Sequence, residues 1–155
     1  MLEKPRRRDE RIVSKKMFAQ IVVMGIWLTV LSFLFLKLPF FSQFFENDAQ
    51  KYTAYFVLFI VAALFNGFNV RDEGFGIFKG LSLNPGFLKV WFAIVAVQAL
   101  IVNAGLVPFA AFKWIGSMFS CVPFGVTGWL VIVALAATMI PIDLLRKVIV
   151  GSKSK

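Results

Sequence analysis

The chain has 155 residues, the length of one domain, with 59% hydrophobic residues and 19 phenylalanines. Its mean hydropathy is +0.81 and only 16% of its residues are charged, against about 25% in an average soluble domain, so a soluble globule is excluded. With no His and a single cysteine, Cys121, an internal disulfide framework, Cys/His zinc sites and His-dependent catalytic dyads are excluded too.

The net charge of +9 raises nucleic acid as a partner, but the positions of the charges argue against it. Seven of the 17 basic residues precede the first apolar run: Lys4, Arg6, Arg7, Arg8, Arg11, Lys15 and Lys16. Arg71, Lys79 and Lys89 lie in or beside a central turn, and Arg146, Lys147, Lys153 and Lys155 follow the last run. Only Lys37, Lys51 and Lys113 fall on the opposite side. This asymmetry follows the positive-inside rule and predicts cytoplasmic termini, with anionic lipid headgroups rather than nucleic acid as the partner of the basic residues.

Residues 1–16 read as a basic cytoplasmic linker with no cleavable signal, and Ser14 is a weak candidate N-cap. The apolar runs are about 20 residues long, enough to cross about 30 Å of hydrocarbon. The first span is predicted at 17–36, where Gly25 and Thr29 form a small-xxx-small pair. Such pairs serve specific packing, but they are also common in membrane helices generally. Phe40, Phe41, Phe44 and Phe45 follow and fit an interfacial aromatic belt.

The second span is predicted at 52–70. Asn66 and Asn69 share a face near its end, which allows either cation ligation or interhelical hydrogen bonding, and two neutral amides without a carboxylate favour the latter. In the central turn, Gly74, Gly76, Lys79 and Gly80 do not match a phosphate-loop spacing, and Asn84-Pro85-Gly86 signals a turn.

The third span is predicted at 90–112, with Ala93, Ala96, Ala99, Asn103 and Ala104 on one side and Gln98 opposite. An amide facing lipid is costly, so this helix is expected to have protein neighbours on two sides. Residues 113–125 form a second outer segment, in which Cys121 either pairs between chains or stays a buried free thiol.

The fourth span is predicted at 126–145, with Pro141 expected to kink it. Its Asp143 lies three residues before Arg146 and four before Lys147, so an ion pair at the helix end is favoured over a transport ligand. Residues 151–155 are a cytoplasmic tail. The residues alone predict an all-α integral membrane domain, 17–150, with four transmembrane helices as two hairpins and no complete active site.

Five segments carry a family resemblance in the right order: Lys4-Pro5-Arg6-Arg7, Leu64-Phe65-Asn66-Gly67-Phe68-Asn69-Val70-Arg71, Phe78-Lys79-Gly80-Leu81 with Asn84-Pro85-Gly86-Phe87, Gln98 with Ile101-Val102, and Phe119-Ser120-Cys121-Val122-Pro123 with Trp129. Together, across residues 4–150, they resemble the seventh to tenth membrane helices of P-type cation-transporting ATPases, most of all the plasma-membrane type of calcium pump.

The resemblance implies a C-terminal membrane scaffold, in a plasma (inner) membrane, that buttresses ion-binding helices supplied by the N-terminal part of a pump. That part would also bind ATP and Mg. The phosphorylated aspartate loop and the nucleotide-binding domain of the family have no counterpart here, so no catalytic, cofactor or metal residue is assigned and the chain alone is expected neither to hydrolyse ATP nor to transport. Where relatives carry a cation-ligand Glu or Gln, this sequence has Ala63. A methyl group has no donor for a cation, so one cation per cycle is expected. Met1 reads as internal to a longer pump; the alternative is an independent four-helix membrane interaction or regulatory subunit.

Overall fold

A computed structural model of the chain describes residues 15–71, 85–106, 108 and 110–152. The basic leader before Lys15, the central turn between Arg71 and Pro85, and the last three residues lie outside that set. Among the described residues, four stretches are long and apolar enough to cross a membrane: Met17–Lys37, Asp48–Arg71, Pro85–Asn103 and Val126–Ile149. The first three belong to α1 (Lys15–Lys37), α3 (Asp48–Arg71) and α4 (Pro85–Asn103). The last divides into α6 (Val126–Ala137) and α7 (Met139–Ser152).

Local chemistry sets the boundaries. Between α1 and α3 lies a single-turn helix, α2 (Pro39–Ser42), which opens on Pro39, a residue suited to the first helical position because its missing N–H would be unpaired there anyway. At the start of α3, Asn47 Oδ1 accepts the Gln50 backbone N–H at 2.9 Å, while Gln50 Oε1 accepts that of Glu46 at 2.9 Å. Two otherwise orphaned donors are thereby satisfied at once. Asp48 in the first turn and Arg71 in the last complement the helix dipole.

The third apolar run is not one helix. α4 starts earlier than Val90, at Pro85, and stops at Asn103; a 3₁₀ turn (Ala104–Leu106) follows, and a separate helix α5 (Ala110–Phe119) occupies ground expected to be span and loop. Pro108 is the physical cause, since it has no N–H to donate and its ring disfavours helical geometry in the residue before it. In the fourth span the break falls at Thr138, three residues before Pro141. The ring of Pro141 conflicts with the carbonyl four residues back, that of Ala137, so the helix gives way just after that residue. Thr138 N–H turns to the Leu135 carbonyl at 3.1 Å instead.

Packing is centred on α3. α1, α6 and α7 surround it, α1 also lies along α7, and α4 rests on α3's remaining side. Phe35, Val57, Leu58, Ile132 and Met139 are fully buried between these helices. At the end holding Lys37, Asp48 and Val126, the phenylalanines form a packed cluster more than a belt: Phe45 stacks edge-on against Phe35 at 5.9 Å and Phe124 at 5.8 Å, while Phe40 remains exposed. Gly128 is required beneath them, because a Cβ there would lie 2.8 Å from both Phe45 and Phe124. At the opposite end Phe65, Phe68, Phe87 and Trp91 join α3 to α4, with the Arg71 guanidinium 5.5 Å above the Phe87 ring.

Candidate functional site

Several residues singled out in the sequence lie toward the end of the bundle where α1 begins and α7 ends, where α1, α3 and α7 meet. Asn69 is 1% exposed, and its Nδ2 donates to the Met139 carbonyl at 2.9 Å. It also approaches Asn66 Oδ1 at 3.4 Å. The shared face of these two amides is therefore used for interhelical hydrogen bonding, beside the break in the fourth span. On the other side of that break, Trp27 Nε1 of α1 donates to Thr138 Oγ1 at 3.0 Å, and this hydroxyl donates onward to the Leu135 carbonyl at 2.6 Å. Nothing in the spacing of Trp27 pointed to this contact; its partner lies 111 residues away.

Asp143 pairs as its spacing predicted, but deeper than expected for a helix-end anchor. Its side chain is fully buried, with Arg146 Nε 2.8 Å from Oδ1 and Lys147 Nζ 2.9 Å from Oδ2, and both cations are themselves almost wholly buried. One carboxylate thus offsets two desolvated cations along one face of α7.

Ala63 lies in a groove of about 420 Å³ between α1 and α3, closed at one side by Met139. Gln20, Gly25 and Asn66 line the same groove. The Nε2 of Gln20 is buried there without a hydrogen-bond partner among the described residues. Gly25 has open space where a Cβ would stand, and Thr29 turns its hydroxyl to the Gly25 carbonyl of its own helix at 2.9 Å. Gly25 therefore lines the groove without a close neighbour, and Thr29 is exposed outside the groove's lining. Among the described residues lining the groove, the side-chain oxygens are those of the neutral amides Gln20 and Asn66, and among the described residues no three His, Cys, Asp or Glu side chains come together.

The other residues of interest lie apart from this groove. Gln98 is 4% exposed and faces protein, with its Nε2 unpaired among the described residues; Ala93 and Ala96 face outward. At the far end, Lys51, expected in an outer loop, is instead buried in the first turn of α3. Its Nζ donates to the Leu36 carbonyl at 3.0 Å and to Ser42 Oγ at 2.9 Å, capping the last turn of α1. The segment 120–125 is held by Gln50 Nε2, which donates to the Pro123 carbonyl at 2.9 Å, and by Thr53 Oγ1, which accepts the Val122 N–H at 3.0 Å. Cys121 on that segment is a half-buried free thiol whose pKa burial raises.

Residues 1–149 match the family described as cation transporting ATPase, C-terminus. The chain belongs to that family. Among curated relatives it is similar to plasma membrane calcium-transporting ATPase 2 of Oreochromis mossambicus, 28% identical over 140 residues, covering 82% of this chain and 12% of the relative. It is also similar to plasma membrane calcium-transporting ATPase 3 of Homo sapiens, 27% identical with 84% and 11% covered. A Caenorhabditis elegans plasma membrane calcium-transporting ATPase is 24% identical, with 85% and 11% covered. The chain thus spans about an eighth of the length of these relatives. No solved structure matches it. Within this cation-transporting ATPase family, four apolar helices make the chain a multi-pass membrane domain.

Proposed function

We propose that this chain is the C-terminal membrane scaffold of an ATP-driven calcium pump, with both termini in the cytoplasm, and that it buttresses the helices that bind the ion. The observation that carries this reading is the family match across residues 1–149, together with the calcium-pump relatives. The 14-to-3 distribution of basic residues supports the orientation. ATP and Mg would bind the N-terminal part of the pump, and no residue of this chain takes part in hydrolysis. The open groove beside Gly25 and Ala63, with an unpaired amide at its edge, supports a face that receives a helix from that part.

Mass spectrometry of the protein from its own membranes tests this reading. A peptide that runs through Met1 from upstream sequence is expected. A native polypeptide of 17.4 kDa that begins at Met1 would make the chain a separate membrane subunit.

Ala63 extends the proposal to stoichiometry. With a methyl group where relatives carry a ligand, this helix contributes no charged donor and the pump moves one cation per cycle. The check is transport per ATP in the full-length pump, with and without Ala63→Glu. Two cations per ATP in the unmodified pump would overturn it.

A further inference from the structure

We infer that α5 is an interfacial helix, lying in the headgroup layer on the side of the membrane away from the termini, with Trp114 and Met118 sunk toward the acyl chains. The inference rests on the chain spanning a membrane and is independent of the pump reading. Three observations carry it.

The first is depth. The 19 residues of α4 extend about 28 Å, close to the roughly 30 Å of the hydrocarbon core, so the break after Asn103 comes where the core ends. The ten residues of α5 reach only about 15 Å, too short to cross back.

The second is orientation. One end of α5 is joined to the far end of α4 through the 3₁₀ turn. The other end is held at the first turns of α3, where Val122 N–H meets Thr53 Oγ1 at 3.0 Å and Phe119, Ser120 and Cys121 line a cavity with Ala49, Tyr52 and Phe56. Both ends sit at one level of the bundle, so the helix runs along the membrane surface instead of through it. Its stop is well defined: Ser120 N–H bonds the Ser117 carbonyl at 3.2 Å and Cys121 N–H the Gly116 carbonyl at 3.3 Å, with Ser120 in the left-handed region at φ 49°.

The third is the face presented. Gly116 is buried toward the bundle, whereas Trp114 and Met118, one turn apart on the other side, are 64% and 61% exposed. Lys113 and Ser117 are exposed beside them. An indole, a thioether and an ammonium on one exposed strip suit the headgroup boundary, where the indole's N–H and the ammonium stay hydrated while their apolar parts enter the acyl region. Val97 and Leu100 on α4 and Leu106 in the turn before α5 are exposed apolar side chains as well, and a span that crosses the bilayer turns such side chains to lipid. The occupant is therefore the lipid of the bilayer the chain already spans. Amphipathic helices of this kind bury their apolar face about 5–10 Å into the headgroup boundary.

The test uses the intact protein reconstituted in phosphatidylcholine vesicles, with benzoylphenylalanine placed in turn at positions 114, 117 and 118. Irradiation should give lipid adducts at 114 and 118 at several times the yield at 117. Because all three side chains are exposed, the substitutions leave the fold in place. Adducts to another polypeptide, or lipid yields at 114 and 118 no higher than at 117, would overturn the inference. An independent measurement takes the difference in tryptophan emission between the wild type and Trp114→Phe. Lipids brominated close to the carbonyl should quench that difference severalfold more than lipids brominated near the chain terminus. Equal quenching, or strong quenching by aqueous iodide, would likewise overturn it.

Discussion

α3 and α4 have almost the same mean hydropathy, 1.8 and 1.9 in their most apolar stretches, yet 44% of that stretch is buried within the protein in α3 and only 11% in α4. Hydropathy measures the preference for leaving water and does not distinguish lipid from protein as the destination. Polar side chains do, because each needs a partner that lipid cannot supply. α3 buries Gln50, Lys51, Thr53 and Asn69, and each of them bonds to another segment of the chain. α4 buries a single polar side chain, Gln98. The hub of the bundle is the helix with the most polar groups to satisfy, and the more uniformly apolar helix lies at its edge.

The sharpest test of polar groups as organisers is Asp143→Ala. It leaves Arg146 and Lys147 buried without this carboxylate, and removing one partner of such a network typically costs about 3–5 kcal/mol. Thermal unfolding in detergent should register a loss of that order. A loss under about 0.5 kcal/mol would mean that the two cations are solvated and the network contributes little.

A paired substitution addresses the comparison of α3 with α4 directly. Ala54 is fully buried in α3, so Ala54→Leu should destabilise by about 1–3 kcal/mol through overpacking. Ala93 is exposed on α4, and Ala93→Leu should change stability by less than about 0.5 kcal/mol. Equal costs measured in the same detergent would contradict the assignment of hub and edge.

Asn69→Leu removes the bond to the Met139 carbonyl and should cost about 1 kcal/mol, within the range measured for hydrogen bonds between membrane helices. Combining it with Trp27→Phe tells whether the two links flanking Thr138 act together. A double-variant effect well below the sum would make the break a single locked unit, whereas simple additivity would make the two links independent.

The smallest expected effect is a gain. Ser120→Gly relieves about 1 kcal/mol of left-handed backbone strain and loses part of it to the freer unfolded chain, for a net stabilisation of about 0.5 kcal/mol. A midpoint shift in the opposite direction would show that the Ser120 side chain has a role beyond ending α5.

Much of the site was legible because its geometry is local. Asp143 with Arg146 and Lys147, and Asn66 with Asn69, lie three or four residues apart, and helical pitch brings such pairs onto one face whatever surrounds them. Helix ends were less legible. Pro141 reads as a kink, but the predicted third span runs straight through Pro108; the helix gives way three residues before Pro141 and four before Pro108, because a proline's conflict falls on the turn before it. Lys51 resisted reading altogether. A lysine after an acidic loop looks solvent-facing, and only the arrival of the last turn of α1 provides its Nζ with acceptors.

By itself, then, the sequence determined the class of solvent, the number of spans and the pairings made within one helix. These depend on the length of apolar runs, on the placement of charge and on helical pitch, all of which are properties of neighbouring residues. Only the tertiary structure decided that α3 is the hub, that Trp27 reaches Thr138, that Asn69 reaches Met139 and that α5 lies across the far end. Those outcomes depend on which faces meet across 70 or more residues of chain, and hydropathy, being nearly equal in α3 and α4, carries no information about that choice.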